Sequence, residues 1–141
     1  MNDTSYAGDV TPDQAWRALE SEADAVLVDV RTESEWHYVG LPDLSELGKE
    51  PLLISWQFFP AMDPNPEFAS ALEAACPDRN ARLLFLCRGA IRSKEAAIAM
   101  TARGFTRCYN VSGGFEGPVD EERRRGRVSG WKAAGLRWAQ T

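Results

Sequence analysis

Two runs constrain this chain more than any other feature. Ala25-Val26-Leu27-Val28-Asp29-Val30 and Leu83-Leu84-Phe85-Leu86-Cys87 are apolar stretches without the polar alternation of a half-solvated strand. Such runs fit central parallel strands covered on both faces. Each ends in chemistry: the first in Asp29 and Arg31, the second in the loop Cys87-Arg88-Gly89-Ala90-Ile91-Arg92-Ser93. In open α/β sheets the carboxyl ends of strands are where sites form, so these two segments predict one site.

The remaining elements are read around that pair. Thr11 as N-cap and Pro12 at the first helical position open a helix to about Ser21, with Ala15, Trp16 and Leu19 inward. Glu33 to Trp36 predicts a helical turn, and Gly40 to Gly48 a loop. Leu52 to Phe58 predicts a further strand bounded by Pro51 and Pro60. Asn65-Pro66 predicts a cap and first-turn proline for a helix through Phe68, Leu72 and Ala75 that stops before Pro77. Gly104 ends a helix over Lys94 to Arg103, and Thr106 to Val111 supplies a last strand. Strands alternating with helices imply an α/β fold, a mainly parallel sheet with helices on both sides. At 141 residues the chain predicts one domain, with a flexible N-terminus at 1–8 and the folded unit at 9–141. Positions 115–129 form a charged inserted loop that includes Arg123-Arg124-Arg125-Gly126-Arg127, before an amphipathic closing helix over Trp131 to Trp138.

The Cys87 loop carries the functional expectation. Gly89 allows a sharp turn, Ser93 caps the following helix, and the helix's free N–H groups point back toward the sulfur. A free thiol has a pKa of about 8.5, which a helix N-terminus and nearby guanidinium groups pull below neutrality, making Cys87 a nucleophile. Arg88 and Arg92 cannot be buried there without an anion to face. A net charge of −5 disfavours nucleic acid as a partner and leaves small anions as substrates. Three cysteines without paired spacing suggest neither a disulfide framework nor a zinc site, so Cys76 and Cys108 are read as packing residues. His37, the single histidine, is a surface or packing residue, and no metal or cofactor is expected. No apolar segment is long enough to cross a bilayer, and Met1 to Gly8 lack a basic start or apolar centre, so a cytoplasmic, membrane-free protein is expected.

Taken in order, Val28-Asp29-Val30-Arg31 with Glu35-Trp36, the Cys87 to Ser93 loop, Gly104-Phe105 and Tyr109-Asn110-Val111-Ser112-Gly113-Gly114 resemble a single-domain rhodanese. Gly130-Trp131-Lys132-Ala133-Ala134-Gly135-Leu136 resembles that family's closing segment. The resemblance implies a rhodanese-like fold, a central five-stranded parallel sheet flanked by helices on both faces. It also implies a cysteine that carries sulfane sulfur as a persulfide. Cys87 is then the nucleophile, and the backbone from Arg88 through Gly89, Ala90, Ile91 and Arg92 to Ser93 holds the persulfide. Arg88 attracts the donor, Arg92 closes the loop against a carboxylate with Asp29 as its expected partner, and Asp29, Arg31 and Glu35 give support. A small anionic sulfur donor and a thiol or cyanide acceptor are the implied partners, with a sulfur-relay protein as another.

The competing readings are a sulfur-carrier or protein-interaction module without turnover and, less favoured, a phosphatase or arsenate reductase. Four residues separate Cys87 from Arg92, the length the resemblance associates with sulfur transfer; the phosphatases and reductases have one more. Gly89-Ala90 departs from the family's usual Ser-Gly, and Tyr38-Val39-Gly40-Leu41-Pro42 stands where His-Ile-Pro-Gly-Ala is usual.

Overall fold

The computed structural model describes residues 4–140. Five parallel strands form the central sheet: β1 (Gly8–Val10), β2 (Val26–Asp29), β4 (Leu52–Leu53), β7 (Leu83–Leu86) and β8 (Cys108–Val111), in the order β1-β8-β7-β2-β4. Leu83, Leu84, Phe85 and Leu86 are all fully buried, as expected of a strand with a neighbour on each side and cover on each face. Helix α1 (Pro12–Ser21) covers one face with Ala15 and Leu19, alongside Leu27, Leu84, Leu86 and Val111. Helices α3 (Phe68–Ala75) and α4 (Ile91–Ala102) cover the other, where Phe68, Leu72, Ala96 and Met100 meet Val28, Phe85 and Cys108. Removing side chains of this size from water contributes about 1.5–3 kcal/mol each, which makes this two-layer burial the main support of the fold.

Local signals explain several boundaries. Thr11 and Gln14 form a reciprocal capping box at the start of α1, with Pro12 inside it. Thr32 and Glu35 do the same for α2 (Glu33–Tyr38). Tyr6 packs against the core, the Ala7 N–H donates to Cys108 O at 2.8 Å, and Gly8 pairs with Tyr109. Residues 6–8 therefore belong to the folded body rather than to a flexible N-terminus at 1–8, whose first three residues lie outside the described ones.

Three other expectations are corrected. The strand expected over 52–58 divides: only Leu52–Leu53 joins the sheet, and β5 (Gln57–Phe58) turns into a hairpin with β6 (Asp63–Pro64). Beyond Leu53 side chains join the bonding: Ser55 Oγ donates to Arg31 O at 2.9 Å, and Asn65 Nδ2 donates to Ser55 O at 2.9 Å. Helix α3 begins at Phe68 rather than at Pro66, because the Asn65 side chain accepts from Glu67 N and forms a turn ahead of it. The closing segment is not a helix. After hydrogen-bonded turns at 130–135 it becomes β9 (Trp138–Ala139), antiparallel to β3 (Leu41–Pro42), with Trp131 fully buried. Among the described residues no helix is long and apolar enough to cross a membrane.

Candidate active site

Register brings the two charged segments together. Asp29 at the end of β2 lies opposite Leu86 of β7, which sets Val30 beside Cys87 and brings Arg31, one residue further on, to the same carboxyl edge of the sheet. The Cys87 sulfur is the centre of a small hydrogen-bonded set: Ala90 N–H donates to it at 3.0 Å, and Ser93 Oγ lies 3.1 Å away. Cys87 is 1 % exposed, and Ser93 is fully buried. Arg88 and Gly89 are solvent-exposed, and Ile91 projects into solvent.

The ring of amides expected from Arg88 to Ser93 thus narrows to the Ala90 N–H, supplemented by the Ser93 hydroxyl. The reason lies in backbone conformation. Helix α4 begins at Ile91, three residues earlier than a serine cap at 93 would place it, and Ala90 is its N-cap without any side-chain cap. Ser93 is therefore inside the first turn, which aims its hydroxyl at the sulfur. The sharp turn expected at Gly89 has its positive φ at Ala90 instead, at 133°. An alanine there carries backbone strain that glycine would not.

Arg92 does not meet Asp29. Its guanidinium forms a two-pronged pair with Glu35, at 2.7 and 3.0 Å, bridging the loop to α2. This geometry suits a carboxylate and a guanidinium better than any single contact. Burial acts to raise the Glu35 carboxyl pKa, but hydrogen bonds from Arg92 and from Thr32 outweigh it and hold it down at about 2. Asp29 is occupied by Arg31 instead: its carboxylate accepts from Arg31 N at 3.1 Å, Nε at 2.9 Å and Nη2 at 2.8 Å. Both side chains are fully buried. Arg31 Nη2 also donates to Gly40 O at 2.8 Å, and its guanidinium stacks 4.2 Å from the centre of the Phe115 ring.

The first residues of the charged loop at 115–129 clasp the cysteine loop. Phe115 N–H donates to Cys87 O at 2.7 Å, and the N–H groups of Glu116 and Gly117 both donate to Arg88 O at 3.1 Å. In a trans peptide the N–H points opposite to its carbonyl, so fixing these two carbonyls outward orients the amides of Arg88 and Gly89. Gly114 makes this approach feasible: at φ +66° it is left-handed, and a Cβ there would run into the Arg88 carbonyl. The arginine run is largely neutralised within the segment. Arg125 Nη1 donates to Gly117 O at 2.8 Å, while Arg124 and Arg127 face Glu122 and Asp120.

The other cysteines lie elsewhere. Cys108 pairs with Leu83, four residues before Cys87 and so about 13 Å along the sheet. Burial pushes its thiol up to about 11, with a hydrogen bond from Thr101 acting the other way. Cys76 is buried at the end of α3. His37 is exposed on α2 and lines, with Trp36, Tyr38, Phe58 and Phe59, a 630 Å³ cavity against the hairpin. Sequence reasoning passed over Asn110, although a polar residue inside a short apolar strand is a visible signal.

A parallel sheet whose central strand delivers a cysteine into the first turn of a helix is the arrangement of a rhodanese-like domain. The chain belongs to the single-domain rhodanese-like family, and the family model of the STR4 middle domain matches it over residues 7–141. Its structure is similar to the crystal structure of Rv0390 from M. tuberculosis, with 47% sequence identity and a TM-score of 0.89 over 97% of this chain and 100% of that one. In sequence it is 38% identical to an uncharacterized protein of Rickettsia rickettsii, over 89% of this chain and 91% of the relative. It is also 28% identical to the thiosulfate sulfurtransferase GlpE of Glaesserella parasuis, over 81% of this chain and 88% of that protein.

Proposed function

We propose that this chain is a sulfurtransferase in which Cys87 carries sulfane sulfur from thiosulfate, or another persulfide donor, to a thiol or cyanide acceptor. The observation that carries this reading is the sulfur's setting. Cys87 stands at the carboxyl end of the central strand, with the Ala90 N–H 3.0 Å and the Ser93 hydroxyl 3.1 Å away. The family-level kinship with GlpE, a thiosulfate sulfurtransferase, supports it.

The chemistry balances in two steps. The Cys87 thiolate attacks the outer sulfur of thiosulfate; a Cys87 S–S bond forms, the donor's S–S bond breaks, and sulfite leaves with the electron pair. An acceptor thiolate or cyanide then attacks the outer sulfur of the persulfide, and the Cys87 thiolate leaves. The Ala90 N–H and Ser93 O–H donate to the sulfur as it gains negative charge. At 1 % exposure the residue meets a donor only when the loop above it shifts, and exposed Arg88 is the group that greets an anion there. Four residues between Cys87 and Arg92 make a short loop, which suits one sulfur better than a tetrahedral phosphate or arsenate.

The test is intact mass after incubation with thiosulfate. A gain of about 32 Da, one sulfur, that cyanide removes and Cys87→Ser abolishes is expected from persulfide chemistry. No gain with any sulfane donor would overturn the proposal in favour of an interaction module, and hydrolysis of a phosphate ester would favour the phosphatase reading.

A further inference from the structure

Ser93 has one hydroxyl proton and two neighbours able to accept it. Asn110, on β8, is 3 % exposed, and its orientation is set from behind: Nδ2 donates to Asp9 Oδ1 at 3.1 Å, and that same oxygen accepts from the Tyr6 hydroxyl at 2.8 Å. With its nitrogen committed to a carboxylate, Asn110 turns Oδ1 toward Ser93 and accepts the hydroxyl proton at 2.6 Å. An amide oxygen has no hydrogen to return. With that proton committed, the Ser93 oxygen is left as an acceptor toward the sulfur 3.1 Å away, an arrangement that suits a Cys87 S–H and offers nothing to a thiolate.

Ionisation reverses that demand. Once the proton leaves Cys87 for solvent, or the sulfur carries a sulfane atom, no S–H remains and the sulfur becomes the better acceptor. The Ser93 hydroxyl rotates about its Cβ–Oγ bond toward it, no other bond changing, and Asn110 Oδ1 is left buried without its donor. A buried acceptor stripped of its partner is costly.

We propose that Asn110 is a positioning residue that restrains the reactivity of Cys87 through Ser93, by competing with the sulfur for the single serine proton. Asp9, exposed at the rim of a 500 Å³ cavity that Ala90, Lys94 and Asn110 also line, holds the asparagine in that role. The other charged groups around the sulfur come from every neighbouring element. They are Arg88 in the loop, Arg92 of α4 with Glu35 of α2, the Asp29–Arg31 pair after β2, and Lys94 of α4, whose ammonium lies 5.8 Å from the centre of the Tyr6 ring. Substitution at Asn110 leaves all of these in place.

The inference concerns the same sulfur as the proposed transfer and rests on that site, but its test needs no sulfur donor, so the two can fail separately. The full chain is alkylated with iodoacetamide across pH, and modification of Cys87 is followed by peptide mass. Asn110→Ala frees the hydroxyl for the thiolate and is expected to move the half-maximal pH of alkylation down by about one unit. Ser93→Ala is expected to move it up by about as much. Asn110→Asp keeps the acceptor and adds charge, so it moves the midpoint up, whereas general loosening of the loop would move both Asn110 variants the same way. In the Ser93→Ala background Asn110→Ala adds no further shift. The proposal is overturned if Asn110→Ala leaves the midpoint unchanged or raises it, if both Asn110 variants shift alike, or if the shift persists without Ser93.

Discussion

Two ion pairs stand at the carboxyl edge of the sheet, and they are built in opposite ways. Asp29 and Arg31 are two residues apart, fully buried, and joined by the turn that follows β2. Glu35 and Arg92 are 57 positions apart, with side chains 18 and 14 % exposed. Burying a charge costs several kcal/mol, which only close partnering offsets. The local pair meets that demand through Gly40 O and the Phe115 ring as well as each other, although Arg31 Nη1 has no partner. The long-range pair remains near water and can separate without stranding a charge in hydrocarbon. The first is therefore scaffold, tying β2 to the 115–129 segment. The second is a clamp on the one loop that has to move if a donor is to reach Cys87.

The comparison breaks most visibly at Arg31. Arg31→Ala leaves Asp29 buried and unpaired, and should cost about 3–5 kcal/mol in urea unfolding. Replacing both partners, as Asp29→Leu with Arg31→Met, should recover most of that loss, because the charges vanish together. A single substitution costing less than about 1 kcal/mol would show that water reaches the pair and that it is no scaffold.

Glu35 carries the next effect, and pH exposes it. Its carboxyl is held down at about 2 in the folded protein, against an ordinary value of 4.5. A lowered folded value means that the stabilisation is fully present above about pH 4.5 and is lost as pH falls toward about 2. Its size is about 2–3 kcal/mol. Glu35→Gln keeps an oxygen for the Thr32 cap but loses the charge toward Arg92. Urea unfolding between pH 7 and pH 2.5 should show the variant already less stable at neutral pH and less sensitive to acid. Parallel pH curves for the two proteins would remove the clamp from the account.

The sequence places Asp29 and Arg31 together at a strand end but matches Asp29 to Arg92, so neither ion pair was legible in it. Strands β2 and β7 announce themselves as unbroken apolar runs, and α1 by Thr11 and Pro12, so the sheet and the placing of Cys87 could be read directly. The partner of Arg92 depends on where α2 packs against a loop far along the chain, and no local pattern encodes that. Ser93 looked like a cap because serine before an alanine-rich run usually is one. Strain at Ala90 starts the helix earlier and turns that hydroxyl inward instead. The clasp by Phe115, Glu116 and Gly117 was equally hidden, since it is made by backbone groups that carry no residue signature. Charge in the 115–129 segment pointed only to its solvated part.

The smallest effect lies at Ala90, and it sharpens what the clamp works against. With φ 133° and ψ −6° this residue occupies a region that costs an L side chain about 1–3 kcal/mol. Glycine relieves that strain but adds about 0.5–1 kcal/mol of unfolded-state entropy, so Ala90→Gly should stabilise the fold by about 1 kcal/mol. A rise in melting temperature of about 4 °C would register it. Combined with Glu35→Gln, the glycine should recover only part of the stability lost at neutral pH, about 1 kcal/mol, without restoring the acid sensitivity, because it relaxes the loop and supplies no carboxylate. Were Ala90→Gly destabilising on its own, the loop would not be under strain, and Arg92 and Glu35 would be holding a conformation that the backbone already prefers.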